Sequence, residues 1–87
     1  MYGTYIIYSK SLDRYYIGST SDFSSRLEKH LYNHKGYTGR AKDWDYVYQH
    51  SFEKKEKALA HEKAIKKWIS RKRIEALINS DKNQIVG

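Results

Sequence analysis

Glu62 stands where a carboxylate is costly. Leu59, Ile65 and Ile69 mark an apolar stripe on a long helical stretch, and Glu62 follows Leu59 by three residues and precedes Ile65 by three, which puts it on the stripe. A carboxylate there needs a cation to meet it. The cation is either a nearby lysine or a bound metal, and a carboxylate in a cleft also suits acid/base work. Arg26 and His30 form a second pair, four residues apart on another helix beside Phe23, Leu27 and Leu31, so they project together. Arg26 is also four residues after Asp22, and a surface ion pair is the plainer reading. Chemically, an arginine neutralises charge on a phosphate and a histidine moves protons near neutral pH, a combination suited to phosphodiester chemistry. Tyr5 and Tyr16 make a third pair. A hairpin register centred between Lys10 and Ser11 sets them directly opposite on one sheet face, as a packing contact or as a shared phenolic site.

The elements that position these residues follow from local pattern. Residues 4–9 are β-branched and aromatic and read as a strand; 10–14 are turn-like; 15–19 read as a second strand, so the two form an antiparallel hairpin. Ser19, Thr20, Ser21 and Asp22 are N-cap candidates for a helix whose buried stripe is Phe23, Leu27 and Leu31. Residues 33–43, with Gly36 and Gly39, read as a loop. Trp44 to Phe52 reads as a third strand with Trp44, Tyr46 and Tyr48 on one parity. From Glu53 onward the chain is helical, and Ser70 caps a last helix carrying Ile74, Leu77 and Ile78. The expected fold is α+β, a small three-stranded antiparallel sheet flanked by helices in the order β-β-α-β-α-α. It is expected to occupy residues 1–80, with 81–87 a frayed tail.

Composition narrows the partners. The 87 residues suffice for one small domain. With no cysteine, neither a disulfide framework nor a thiolate zinc site is available. This composition fits a reducing cytoplasm. No apolar run approaches the roughly 20 residues that span a bilayer, and no secretory leader is visible, so no membrane role is expected. Nine tyrosines argue against disorder. Lys and Arg number 17 against 10 Asp and Glu, a net charge of +7 that points to nucleic acid. Six basic residues lie between Lys63 and Arg73, with no acid between Glu62 and Glu75. Of these, Lys66, Lys67, Arg71, Lys72 and Arg73 suit phosphate contact, which by itself carries no sequence preference.

Gly3-Thr4-Tyr5, Tyr16-Ile17-Gly18, Arg26, His30 and Glu62, in this order and spacing, resemble the GIY-YIG endonuclease superfamily, in particular its small single-domain bacterial members. The resemblance covers about residues 2–78. It extends to Tyr37-Thr38-Gly39-Arg40 before Trp44 and to His61-Glu62-Lys63-Ala64-Ile65-Lys66-Lys67-Trp68. It implies divalent-metal-dependent hydrolysis of DNA phosphodiester bonds with Mg²⁺, or Mn²⁺ in its place. By position, Glu62 would hold the metal and Arg26 would stabilise the scissile phosphate. Either Tyr5 or Tyr16 would take a proton from the attacking water, with His30 accepting or relaying it. Arg40 joins the candidate DNA contacts. The family's middle isoleucine is Thr4 here, and Asn79 is nearest to an asparagine that larger members carry late in the domain. No counterpart of the DNA-binding domain appended in larger members is expected within these 87 residues. By analogy, a bare catalytic domain with a basic helix implies recognition of DNA by shape, branched or single-stranded, as in repair or recombination; the expected partner is DNA, whether duplex, branched or single-stranded, and a protein partner is left open. The competing reading is a non-catalytic nucleic-acid-binding module of the same fold.

Overall fold

The computed structural model describes residues 2–32, 41–68 and 70–85; the side chains of His30 and Tyr32 lie outside that description. Strands β1 (Tyr2–Ser9), β2 (Arg14–Thr20) and β3 (Trp44–Phe52) form one antiparallel sheet in the order β2-β1-β3. Helices α1 (Phe23–Tyr32), α2 (Lys55–Lys66) and α3 (Arg71–Ile78) complete the expected order. β1 is central and covered on both faces, which is why its Tyr5-Ile6-Ile7 run is continuously apolar and fully buried. Tyr5, Ile7 and Trp44 pack with Phe23, Leu27 and Leu31 of α1. Ile6 and Tyr48 pack on the other face with Ile65 of α2 and with Ile74, Leu77 and Ile78 of α3.

Two registers differ from the sequence expectation. In the hairpin Tyr5 pairs with Gly18, and Tyr16 pairs with Ile7, so the tyrosines are not directly opposite. The turn decides this. Asp13 adopts φ 53°, a left-handed conformation that aspartate tolerates better than most residues. The Asp43 carboxylate then accepts from the Ser9 hydroxyl at 2.6 Å and the Ser11 amide at 2.8 Å. A shift of two residues keeps every side chain on its own face, so Tyr5 and Tyr16 still share the α1 side. Between β1 and β3 a bulge shifts the register after Ile6, so that Ile7 meets Tyr46 while Ile6 meets Tyr48. The extra residue turns Tyr46 toward α1 and Tyr48 toward α2, and the single parity expected for Trp44, Tyr46 and Tyr48 breaks there.

Of the N-cap candidates it is Asp22 that caps α1: its carboxylate accepts from the Ser24 amide at 3.1 Å and the Ser25 amide at 3.3 Å. Ser70 occupies the N-cap position of α3, but its hydroxyl makes no capping bond. On α2 the buried residues are Ala58 and Ile65, whereas Leu59 is 42% exposed, which corrects the expected stripe. The reason is the close seat of α2 on the sheet. Thr4, fully buried, donates its hydroxyl to the Ala58 carbonyl at 2.7 Å, and a larger side chain than alanine would hold the helix away. Thr4→Val keeps the shape and leaves that acceptor short of a donor. It should lower unfolding stability by about 1–2 kcal/mol in urea titration. An unchanged midpoint would show the hydroxyl to be idle.

Of the stretch expected to fray, residues 83 and 84 are bonded to the sheet, and 86–87 lie outside the described residues. Asn83 donates its side-chain amide to the carbonyls of Val47 and Ile78, both at 2.8 Å. The Gln84 amide reaches the Gln49 carbonyl at 2.8 Å, and the Gln84 side chain accepts from the Ser51 amide at 2.7 Å. β3 is an edge strand with unpaired backbone groups, and the Asn83 and Gln84 side chains together with the Gln84 backbone amide satisfy some of them as a neighbouring strand would. Among the described residues no helix is long and apolar enough to cross a membrane.

Candidate active site

The candidate residues gather around positions 18 and 19 of β2, the edge strand opposite β3. Strand alternation points Gly18 toward α1 and Ser19 toward α2. On the α1 side, Tyr5 leans from the central strand across Gly18, and a Cβ at Gly18 would overlap the Tyr5 hydroxyl. The Tyr5 ring cannot swing aside, because it meets Phe23 and Tyr46 edge-on with centroids 6.5 and 5.6 Å away. Arg26, presented by α1, donates from Nε to the Tyr5 hydroxyl at 3.1 Å. Tyr16, partly exposed, is on the same face two residues before Gly18. On the α2 side, the Ser19 hydroxyl donates to Glu62 Oε1 at 2.5 Å, and Lys66 Nζ is 2.6 Å from Oε2.

Electrostatics ties the two sides together. Burial pushes the Tyr5 phenol above its ordinary pKa; the hydrogen bond and charge of Arg26 pull it down, while Tyr16 and the Glu62 carboxylate push it up again. Tyr5 thus sits within the field of both Arg26 and Glu62. Asp22 does not pair with Arg26, because its oxygens cap α1 and bind the Ser25 hydroxyl at 2.9 Å. The guanidinium is therefore turned to Tyr5.

Gly18→Ala follows as a test. The methyl group must displace a packed aromatic ring, so we expect a stability loss of about 1–3 kcal/mol and loss of the Arg26–Tyr5 contact. Thermal melting and cleavage rate check both. A variant with wild-type stability and rate would show that the ring has room.

Of the remaining sequence candidates, His30 lies on α1 with its side chain outside the described residues, and Arg40 lies outside them altogether. Arg71 is held by Asp13 at 2.5 and 3.1 Å and stacks over Tyr15, and it keeps the Asp13 carboxyl down at about 2. Arg73 stacks on Trp68. Lys67 and Lys72 are exposed. Asn79 binds the Glu75 carbonyl in its own helical turn. Sequence reasoning missed Ser19, whose only signal was its place next to the second glycine, on the alternate face.

The donor set suits a hard, hydrated cation. Among the described residues no group of three or more metal-ligating side chains exists. Glu62 offers one carboxylate, with its side chain 17% exposed, and Mg²⁺ keeps most of its waters and takes only one or two carboxylates. A family model described as the GIY-YIG catalytic domain matches residues 1–75. The chain belongs to the GIY-YIG family. No match was found among curated proteins or among solved structures. As a GIY-YIG domain it carries a nuclease fold, and its substrate is nucleic acid. The α+β order and the antiparallel sheet agree with that fold.

Proposed function

We propose that this GIY-YIG protein is a divalent-metal-dependent DNA endonuclease whose active site wraps the β2 edge at Gly18 and Ser19. The observation that carries the reading is the convergence there of the Arg26–Tyr5 pair and the Ser19-bound Glu62 carboxylate. Arg26 binds the scissile phosphate and offsets the charge that builds on it. Tyr5, in its phenolate form, takes the proton of the attacking water and becomes the neutral phenol. Its phenol is protonated at neutral pH while buried, and cationic neighbours are what make it a base. Tyr16 borders the same face and orients the water. Glu62 would hold Mg²⁺, or Mn²⁺ in its place, and the bound ion would supply Lewis-acid stabilisation of the leaving 3′ oxygen. Exposed Lys63, Lys67 and Lys72 supply phosphate contacts that hold DNA without reading its sequence. We assign branched or single-stranded DNA as the preferred substrate, recognised by shape.

The test is cleavage of a panel of branched, flapped, single-stranded and plain duplex DNAs with Mg²⁺, with Mn²⁺ and with chelator. Cutting that needs the ion and ranks the panel by shape is the expected result. Salt-sensitive binding with no cutting under any condition would overturn it in favour of a binding module.

A further inference from the structure

The two oxygens of Glu62 are treated differently. Oε1 accepts the Ser19 hydroxyl at 2.5 Å, and Oε2 faces the Lys66 ammonium at 2.6 Å. We propose that Ser19 and Lys66 are positioning residues that set, in opposite directions, how tightly Glu62 takes a divalent cation. The proposal rests on the reading of Glu62 as the cation's ligand.

Ser19 comes from a paired strand. Its backbone is fixed opposite Thr4 on β1, and Thr4 anchors the helical turn that precedes Glu62 through the Ala58 carbonyl. The serine hydroxyl has one proton and two acceptors in view: Glu62 Oε1 at 2.5 Å and the Ala58 carbonyl at 3.4 Å. The shorter bond goes to the carboxylate, so the hydroxyl fixes the rotation of the carboxyl group and leaves Oε2 as the oxygen turned outward. Partners of this kind orient a ligand and raise its affinity.

Lys66 acts on that second oxygen. It is four residues after Glu62 on α2, the favourable direction for such a pair. Its side chain is 51% exposed while that of Glu62 is 17% exposed, so the ammonium can leave and the carboxylate cannot. A divalent ion arriving at Oε2 must displace a charge already there. Lys66 thus keeps the buried-side carboxylate paired when no metal is bound, and weakens the metal's hold by the strength of that pair.

The experiment is Mn²⁺ binding to the full chain, without DNA, followed by electron paramagnetic resonance of the free ion. Ser19→Ala should weaken Kd about tenfold. Ser19→Thr should restore it, since the hydroxyl is retained on a residue that favours strands. Lys66→Gln should tighten Kd about twofold. Glu62→Gln should remove the site. If Glu62→Gln removes binding but Ser19→Ala and Lys66→Gln leave Kd unchanged, the positioning roles are wrong and the ligand assignment stands. If wild type binds no more Mn²⁺ than Glu62→Gln, both fall. Thermal melting checks each fold. Should Ser19→Ala not fold, Lys66→Gln decides alone, because an exposed lysine at the end of α2 is replaceable without loss of packing.

Discussion

Glu62→Gln is expected to lower Mg²⁺-dependent cleavage about 10³-fold while the protein stays folded and still binds DNA. The amide keeps the shape and can still accept from Ser19, so the contact at 2.5 Å survives in weaker form. What disappears is the negative charge that a hard cation requires. Lewis-acid stabilisation of a leaving oxygen is worth several kcal/mol, and each 1.4 kcal/mol is about tenfold in rate. The structural cost is small: the pair with Lys66 is a helix-surface pair of about 0.3–0.5 kcal/mol. DNA binding should hold or tighten, because a carboxylate leaves a phosphate-binding face. Single-turnover cleavage, thermal melting and a binding titration in chelator separate the three effects. Near-normal cleavage by a folded Glu62→Gln protein would remove Glu62 from the chemistry.

Tyr5→Phe carries the second large effect. Loss of a positioned general base costs about 10²–10⁴ in rate. Because burial raises the Tyr5 pKa, the phenol is almost wholly protonated at neutral pH. The wild-type rate should therefore climb about tenfold per pH unit from neutrality upward, as the reactive phenolate becomes more populated. Tyr5→Phe should be slow and should lose that slope, whereas Tyr16→Phe should be slowed with the slope kept. The pH–rate profiles of the two variants decide the assignment. A steep profile surviving in Tyr5→Phe and lost in Tyr16→Phe would make Tyr16 the base. Packing gives little reason for Tyr5→Phe to unfold, since the ring contacts with Phe23 and Tyr46 remain.

The pattern of helices and strands was legible in the sequence because period and turn chemistry agree along most of it. The third strand, Trp44–Phe52, and the α3 residues Ile74, Leu77 and Ile78 stand where their pattern puts them. Tyr5, Arg26 and Glu62 were legible as candidates for other reasons. Arg26 and Glu62 are charged groups beside apolar residues, which folding alone does not ask for, whereas Tyr5 was singled out by a hairpin pairing with Tyr16 that the structure shifts by two residues.

What was not legible depends on partners distant in sequence. The hairpin register is set by Asp43, which lies 32 residues beyond the Ser11 amide it binds. The bulge that separates Tyr46 from Tyr48 arises in β3 and shows in its pairing with β1. Leu59 is more hydrophobic than Ala58, yet Ala58 is buried, because Thr4 draws the helix backbone close and only a small residue fits. Thr4 looked like a conservative stand-in for isoleucine; its hydroxyl turns out to anchor α2. Arg71 looked like a phosphate contact by charge alone, and the structure places it on Asp13. The bonding of Asn83 and Gln84 to β3 was not legible because side-chain amides that replace a strand leave no periodicity to read.

The most direct test of one shared site at the β2 edge is a crystal structure of the Glu62→Gln protein with an uncut branched DNA. The expected result is a backbone phosphate beside Gly18, with Arg26 within about 3 Å of a phosphate oxygen. The Tyr5 hydroxyl should then face the bond to be broken. DNA lying across α3 or the β3 edge, with no phosphate near Arg26, would contradict it.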